Sequence, residues 1–440
     1  MDLILVFLVS FLLLIFSTLQ GYFIAYPLLI SMGFLVMVLI RRGFSFEALM
    51  TMAATGGKKS FSVISILILI GAVIATWLAA GTVPALIYYG MKWIHPQLFI
   101  LSAFLLTSVV SLLIGTSFGT VGTIGLALMI AAQETAVNPH WIAGAIIAGA
   151  YFGDRCSPMS SSANLITILT QTQLYSNIQN MFKTGLIPLI MSCFIYGIAS
   201  LFNPVEAQGT QIPGWIQAEF QISSLVLLPA LMILGLAIFR VEVKISMVIS
   251  LLTAAVIGMT IQHYSGWDIL NFILGGFYLA ETAPLHSIIQ GGGMLSMLKI
   301  SLVVVISTAL AGIFTGTNIL NQVEVLLDQA QSERHLFSGT IVIGTVAAAF
   351  GCTQTIAILL TQQLVQKKYA TFPLTPAQLA VDLENTVVVI SPLIPWNIAG
   401  FIPAAILTTD FRFIPYAVYL YLLPLMSWRE KQRISVHDLR

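Results

Sequence analysis

The chain has 440 residues, of which 58% are hydrophobic and only 8% charged, against about 25% charged and 45–50% apolar in a soluble domain. Eighteen basic and 17 acidic side chains cannot cover a water-facing surface of this size, so a soluble fold is excluded and a polytopic helical membrane protein is implied. The net charge of +1 argues against nucleic acid as a partner. Cys156, Cys193 and Cys352 are too few and too scattered for a disulfide framework or a metal cluster.

In chain order, apolar runs near 2–18, 23–40, 61–80, 184–202, 222–239, 244–262, 296–319 and 411–427 are predicted to be spanning helices. They are apolar all round, as in lipid-embedded or bundle-buried helices, and lack the alternation of a transmembrane β-barrel. The first run has no basic leader and no small-residue cleavage site, so it reads as a retained helix. Orientation follows Lys and Arg placement. Arg41, Arg42, Lys58 and Lys59, the pair Arg240 and Lys244, the pair Lys367 and Lys368, and the tail 428–440 fall on one side, whereas 203–221 has neither Lys nor Arg. The basic side is expected to be cytoplasmic, with both termini there, in a multi-pass protein of the plasma (inner) membrane. Segment 203–221 is expected to be an extracytoplasmic linker.

Three stretches, 98–132, 140–172 and 337–409, are apolar but interrupted by Gly, Pro, Ser, Thr and Asn. Unwound backbone survives in hydrocarbon only where protein buries it or it lines a wet cavity. Parity requires one of the first two to make an even number of crossings, and 98–132 suits a hairpin with its tip near Gly115–Gly119. The equivalent stretch 337–365 is read with arms of about 14 residues, roughly 21 Å at 1.5 Å per residue. That falls short of a ~30 Å hydrocarbon core, so re-entrant hairpins are expected, although parity alone also allows two full crossings.

The two halves match at a nearly constant offset. Gly57 pairs with Gly292, Gly81-Thr82 with Gly316-Thr317, Glu47 with Glu281, Gly115-Thr116-Ser117 with Gly351-Cys352-Thr353, Ser157-Pro158 with Ser391-Pro392 and Asn164 with Asn397, all 233–236 residues apart. The expected fold is therefore an all-α polytopic membrane protein of two inverted repeats, 1–202 and 222–427, with re-entrant hairpins and broken helices. Such repeats mark secondary transporters. Chance similarity among Gly-rich apolar segments is the competing explanation, and six pairs in order weigh against it.

Four constellations carry chemistry. Gly115–Thr123 offers the hydroxyls of Thr116, Ser117, Thr120 and Thr123 as neutral ligands for Na+ or the polar end of a solute; a small-residue packing motif is the alternative. Gly153–Asn164 places Asp154 and Arg155 in an apolar stretch, where ionisable groups default to a functional role. Asp154 suits a cation or a proton, Pro158 breaks the helix, and Ser157 and Asn164 add oxygens. Arg155 is read either as the partner of Asp154 or as the ligand of a substrate carboxylate. The alternative is a surface loop with a solvated ion pair. The third constellation supplies Glu384, Asn385, Ser391 and Asn397, around two prolines within four residues; solvation of Glu384 and Asp382 near the cytoplasmic end is its alternative. The fourth is the second hairpin tip, with Thr353.

The histidines His95, His140, His263, His286, His335 and His437 are expected in solvated loops, and Glu47 and Glu281 as helix caps or peripheral acids. No Walker, nucleophile-elbow or H-E-x-x-H motif is present. The chain is thus read as a secondary transporter and not an enzyme, with a channel or a non-transporting membrane protein as the alternative that the internal repeat weighs against. No cofactor is expected, with Na+ and H+ as transported or coupling ions. Its expected partners are the bilayer and a small ion or solute, with a homodimer left open.

These motifs resemble those of the NhaC family of Na+/H+ antiporters. The resemblance rests on Gly115–Thr123 followed by Leu126-Ala127-Leu128, on Gly149-Ala-Tyr-Phe-Gly-Asp154 with Ser157-Pro158 and Asn164, and on Glu384, Ser391-Pro-Leu-Ile-Pro-Trp-Asn397 and Pro415-Tyr416. It spans about 50–427 and implies electrochemically driven antiport, in a family that also includes carriers of organic acids or amino acids. Two positions depart from the family pattern. Ser161 stands where the first motif usually carries Asp, and Asn385 where the second usually carries Asp. Neither can carry a proton, so the resemblance leaves open a different stoichiometry or a solute carrier using Na+ bound by neutral oxygens.

Overall fold

Hydrocarbon offers backbone N–H and C=O groups no partner but each other. In the computed structural model the chain meets this with helices throughout most of its described residues, which are 2–93, 95–133, 137–203, 212–239, 241–283, 285–286, 289–317, 327 and 330–431. Arg240, His437, residues 204–211 of the linker and 432–440 of the tail lie outside them. Among the described residues an isolated β bridge joins Phe277 and Gly291.

The first half runs α1 (Asp2–Leu19), α2 (Ala25–Arg41), α3 (Phe46–Lys58), α4 (Ser60–Ala79) and α5 (Thr82–Trp93). A hairpin follows, made of α6 (Phe99–Ile114), the short α7 (Ser117–Thr120), a π-helical turn Val121–Gly125 and α8 (Leu126–Gln133). Next come a broken helix, α9 (Pro139–Cys156) with α10 (Ser161–Thr170), and the long α11 (Leu174–Phe202). Beyond α12 (Ile212–Glu219) and α13 (Leu228–Ile238), the second half has α14 (Val243–Thr260), α15 (Gly266–Gly275) and α16 (Met297–Thr317). Its hairpin is α17 (Glu333–Gly351) with α18 (Gln354–Tyr369). Its broken helix is α19 (Pro376–Leu383), a π-helical turn Glu384–Val388 and α20 (Ile398–Ile406), and α21 (Val418–Glu430) closes the chain.

Among the described residues four helices, Phe46–Ala79, Leu174–Phe202, Val243–Thr260 and Met297–Thr317, are long and apolar enough to cross a membrane. There are six if the bent pairs Pro213–Glu219 with Ser224–Ile238 and Pro376–Leu393 with Ile398–Ile406 each count as one span. The protein is an all-α polytopic membrane protein. One apolar core gathers α4, α6, α8, α9 and α21, and a second gathers α1, α2, α16, α17 and α18.

Residues 42–45 turn the chain after α2, and the remainder of the basic segment 41–60 is helical, because α3 runs on into α4. Ser45 caps α3 by accepting from Ala48 N at 3.2 Å, Glu47 sits in the first turn, where the dipole favours its charge, and Lys58 lies at the junction with α4. Its apolar face packs on α16, so the basic residues mark helix ends. The second hairpin is also longer than its apolar core suggests. Its arms have 19 and 16 residues, roughly 28 and 24 Å, because Ser332 and the polar first turn of α17 extend the helix beyond the apolar run.

Hairpin, broken helix and closing helix recur in the same order in both halves, and Phe99 and Glu333, which begin the two hairpins, are 234 residues apart. The correspondence lapses at α3. Its counterpart around Phe277–Ser296 is irregular, with Gly291, Gly292 and Gly293 at positive φ and Gly293 N donating to Gly71 O in the middle of α4 at 2.6 Å. Glu47 and Glu281, and Gly57 and Gly292, therefore sit in unlike surroundings.

The α3–α16 crossing rests on glycine. A Cβ on Gly56 would run into the backbone of Thr308 and Gly312, whereas one on the neighbouring Gly57 would meet only Ala309 Cβ at 4.0 Å. Gly56→Ala is expected to destabilise the protein by about 1–3 kcal/mol through overpacking, and Gly57→Ala to leave it unchanged. Thermal unfolding of both variants in detergent checks this.

Candidate functional site

Asp154 is placed by backbone contact between two helices. Gly149 and Gly153 lie one turn apart on α9, and a Cβ on either would collide with α6, at Thr107 and Phe104 or at Ser108 and Leu112. Small residues at this spacing let membrane helices approach closely. Asp154, the next residue, is thereby carried to the tip of the first hairpin. Gly115 turns the chain there at φ +73°, against Met159 of the helix break. Thr116 caps α7, and Ser117 N donates to Asp154 Oδ2 at 3.2 Å. Asp154 is 7% exposed, and its Oδ1 has no hydrogen-bond partner among the described residues. The Ser160 hydroxyl, at the break, also lies within reach of the carboxylate.

Arg155 turns away from its neighbour. Consecutive helical residues point about 100° apart, and the guanidinium is sent between α11 and α21. Nη1 donates to Met181 O at 3.1 Å and Tyr419 OH at 3.3 Å, and Nη2 to Thr184 Oγ1 at 3.2 Å and to Asn385 Oδ1. Gly185 makes the room, since a Cβ there would sit 3.0 Å from both Nη1 and the Tyr419 hydroxyl. Neither an ion pair with Asp154 nor a solvated surface loop is formed: Arg155 is 0% exposed and, among the described residues, has no carboxylate within 4.0 Å. Asn385 holds this donor from the π-helical turn and passes Nδ2 to Ser427 Oγ at 2.9 Å. Beside it Glu384 is fully buried rather than solvated, both oxygens lack a hydrogen-bond partner among the described residues, and it lies within electrostatic reach of Arg155 and Asp154. An extra residue in a helical turn is frequent at functional sites.

The second break braces the second hairpin. Cys352, left-handed at φ 54°, accepts Ile398 N at 2.8 Å, Trp396 Nε1 donates to Ala349 O at 2.7 Å, and Asn397 Nδ2 to Ala348 O at 2.7 Å. Asn397 also caps α20 by accepting Ala399 N at 2.9 Å. Each broken helix touches the other half as well. Tyr151 OH, one turn before Asp154, donates to Ala399 O at 2.7 Å, α10 lies against α18, and α20 lies against α7 and the turn Val121–Gly125.

Asp154 and Ser117 are thus in direct contact, as are Arg155 and Asn385, while Glu384 stands near both pairs. The remaining candidates bond locally. Thr120 donates to Thr116 O, Thr123 to Gly119 O and Ser391 to Val387 O. Ser157 accepts Met159 N, Thr353 caps α18, and Asn164 Nδ2 closes the break by donating to Pro158 O and Ser160 O. His140 and His335 lie in helices instead of loops, and His286 is half-buried, with Nδ1 at 2.7 Å from Leu279 O.

Sequence reasoning passed over Tyr151, Ser160, Thr184, Tyr419 and Ser427. Only Tyr151 carried a signal, its helical spacing from Asp154. Asp382 is likewise buried, not solvated: Lys431 Nζ reaches Asp382 Oδ1 at 2.8 Å and Glu333 Oε1 at 3.0 Å, and Tyr369 OH donates to Asp382 Oδ2 at 3.0 Å. Asp382, Glu333 and Lys431 rim a cleft of about 420 Å³ that Lys183, Thr184, Asn385 and Ser427 also line.

The model of the Na+/H+ antiporter family matches residues 149–428, the part that holds Asp154, Glu384 and both breaks. An uncharacterized Na(+)/H(+) antiporter of Haemophilus influenzae is 30% identical over 82% of this chain and 80% of its own. The Na(+)/H(+) antiporter NhaC of Alkalihalophilus pseudofirmus is 30% identical over 84% and 82%. The malate-2H(+)/Na(+)-lactate antiporter of Bacillus subtilis is 27% identical over 87% and 84%.

Asn397 serves two ends at once, a cap and a tie to the hairpin. Asn397→Ala is expected to cost about 1–2 kcal/mol of stability, read as a lowered unfolding temperature in detergent.

Proposed function

The chain belongs to the Na+/H+ antiporter family, as a secondary transporter of the NhaC type, and on that premise we propose that it exchanges Na+ for H+ at Asp154 across the plasma membrane. The observation that carries this is the carboxylate itself: buried, one oxygen held by Ser117 N at a hairpin tip, the other without a hydrogen-bond partner among the described residues. A lone carboxylate oxygen beside Ser117 and Ser160 can take Na+ with neutral oxygens completing the shell, or take H+ in its place. One oxygen cannot serve both, so binding is mutually exclusive and the gradient of either ion drives the other. Oxygen ligands of this kind, at hairpin tips and helix breaks, are how secondary transporters hold coupling ions. The recurring hairpin and broken helix support an inverted repeat, and the Lys and Arg distribution supports cytoplasmic termini, with the cleft by Lys431 opening inward.

A second reading has its own support. A cleft of about 420 Å³ lies within the range of small-molecule sites and exceeds what a monovalent ion needs. Its inner wall is Thr184 and Asn385, the two side chains that Arg155 Nη2 holds. A small organic acid entering there would meet the guanidinium through them, and one similar protein carries the name of a malate–lactate antiporter.

In inside-out vesicles with an imposed pH gradient, Na+ is expected to dissipate the gradient, and Asp154→Asn to abolish the response. Competition further predicts that each unit drop in pH raises the apparent Na+ constant by up to about tenfold, by mass action at one site. A response to labelled malate or lactate with none to Na+ alone would favour the second reading instead.

A further inference from the structure

The buried site contains two carboxylates, Asp154 and Glu384, and one guanidinium, Arg155, none of them paired by contact with another. The remaining ionic cluster nearby, Asp382, Glu333 and Lys431, is joined at the cleft rim by its own contacts. We propose that both carboxylates are ionised in the empty site and that Arg155 is a resident counter-cation that sets its charge at minus one, so that a single monovalent cation, Na+ or H+, completes it. This rests on the reading of Asp154 as the ion carrier.

The physical reason is the cost of bare charge. An uncompensated ion in a low-dielectric interior costs several kcal/mol. With Arg155 fixed, the loaded site is neutral and the empty one is not. Only the loaded carrier can then reorient, which makes exchange obligatory. The geometry keeps Arg155 available for this task. Its donors go to Met181 O, Tyr419 OH, Thr184 Oγ1 and Asn385 Oδ1, all formally neutral, so its charge is not cancelled by a contact partner. Asn385 is the decisive neighbour. It supplies the oxygen an aspartate would supply, in the same place, without the charge. Tyr151, Tyr419 and Cys156, the other titratable groups packed around the site, are uncharged when protonated and leave the count unaltered.

The test uses the full-length protein in liposomes. Na+ flux driven by a pH gradient is measured while membrane potential is set with K+ and valinomycin. Wild type is expected to exchange one ion for one and to ignore the potential. Arg155→Gln leaves a charge of minus two and is expected to lower flux at least about tenfold. The double variant Arg155→Gln with Glu384→Gln returns the count to minus one, and is expected to recover flux to within about threefold of wild type, again insensitive to potential. A guanidinium that merely braces α11 and α21 would not be rescued by removing a carboxylate. A double variant no more active than Arg155→Gln, with both eluting as folded protein, overturns the proposal.

Should Arg155→Gln not fold, Asn385→Asp carries the decision. It adds a negative charge in place, so two monovalent cations are needed to neutralise the site, and the dependence of flux on Na+ is expected to steepen from first towards second order. A dependence on Na+ as shallow as that of wild type would overturn the proposal equally. Asp154→Asn separates the two levels: full transport in that variant removes the reading of Asp154, whereas an inactive Asp154→Asn with no rescue removes only the role given to Arg155.

Discussion

Burying a carboxylate in an apolar bundle is the constraint on which the rest of this structure depends. Taking the charge out of water costs several kcal/mol, and nearby dipoles or charges must offset it. The local architecture around Asp154 supplies them. Gly149 and Gly153 let α9 lie against the backbone of α6, and that approach brings the end of α9 to the hairpin tip. There the positive φ of Gly115 frees the N–H of Ser117, and this N–H reaches the carboxylate. Removal of either glycine's space would move Asp154 away from its one backbone donor, so packing and electrostatics are a single requirement here.

Much of this was legible in the chain. Hydropathy located the long helices, because twenty apolar residues in a row admit few other structures in hydrocarbon. The breaks were legible from Pro158 and from Pro392 and Pro395, since proline removes a donor and clashes with the preceding turn. Misread segments were those where polar residues are helical. The segment holding Glu47, Lys58 and Lys59 resembles a loop by charge alone, yet α3 forms there because its apolar face covers α16 and its charges sit at the ends. Hydropathy also cut the second hairpin short, as it is blind to a polar first turn capped by Ser332.

The site was legible as composition and not as direction. Asp154, Arg155, Glu384 and Asn385 stand out because charge and amide are scarce in such a sequence. Which way Arg155 points depends on α11 and α21, whose contributions (a carbonyl at Met181, a hydroxyl at Tyr419, the absent side chain of Gly185) leave no mark in any motif. The same holds for Asp382. Its partner Lys431 is 49 residues away, and only the return of α21 to the start of α17 brings them together. Local hydrogen bonding explains why the hydroxyl-rich tips gather fewer ligands than their composition suggests. Thr120, Thr123 and Ser391 spend their protons on carbonyls one turn back, which leaves them as acceptors only.

Coupling between the two halves follows from how the breaks are tied. Each break is anchored to its own hairpin, through Gly115 and Met159 in one half and through Trp396, Asn397 and Ile398 in the other. Each half-helix beyond a break then lies on the opposite half, α10 on α18 and α20 on α7. Tyr151 joins the two across the middle, since it shares α9 with Asp154 and bonds the first turn of α20. A change in charge at Asp154 is therefore felt where α9, α20 and the first hairpin tip meet. Neutralising the carboxylate weakens its hold on Ser117 N, because a charged acceptor makes roughly twice as strong a hydrogen bond as a neutral one. On the proposed reading of Asp154 as the ion carrier, protonation of the site would loosen the same contact that fixes the hairpin tip, and a carrier built this way would be most free to rearrange when loaded.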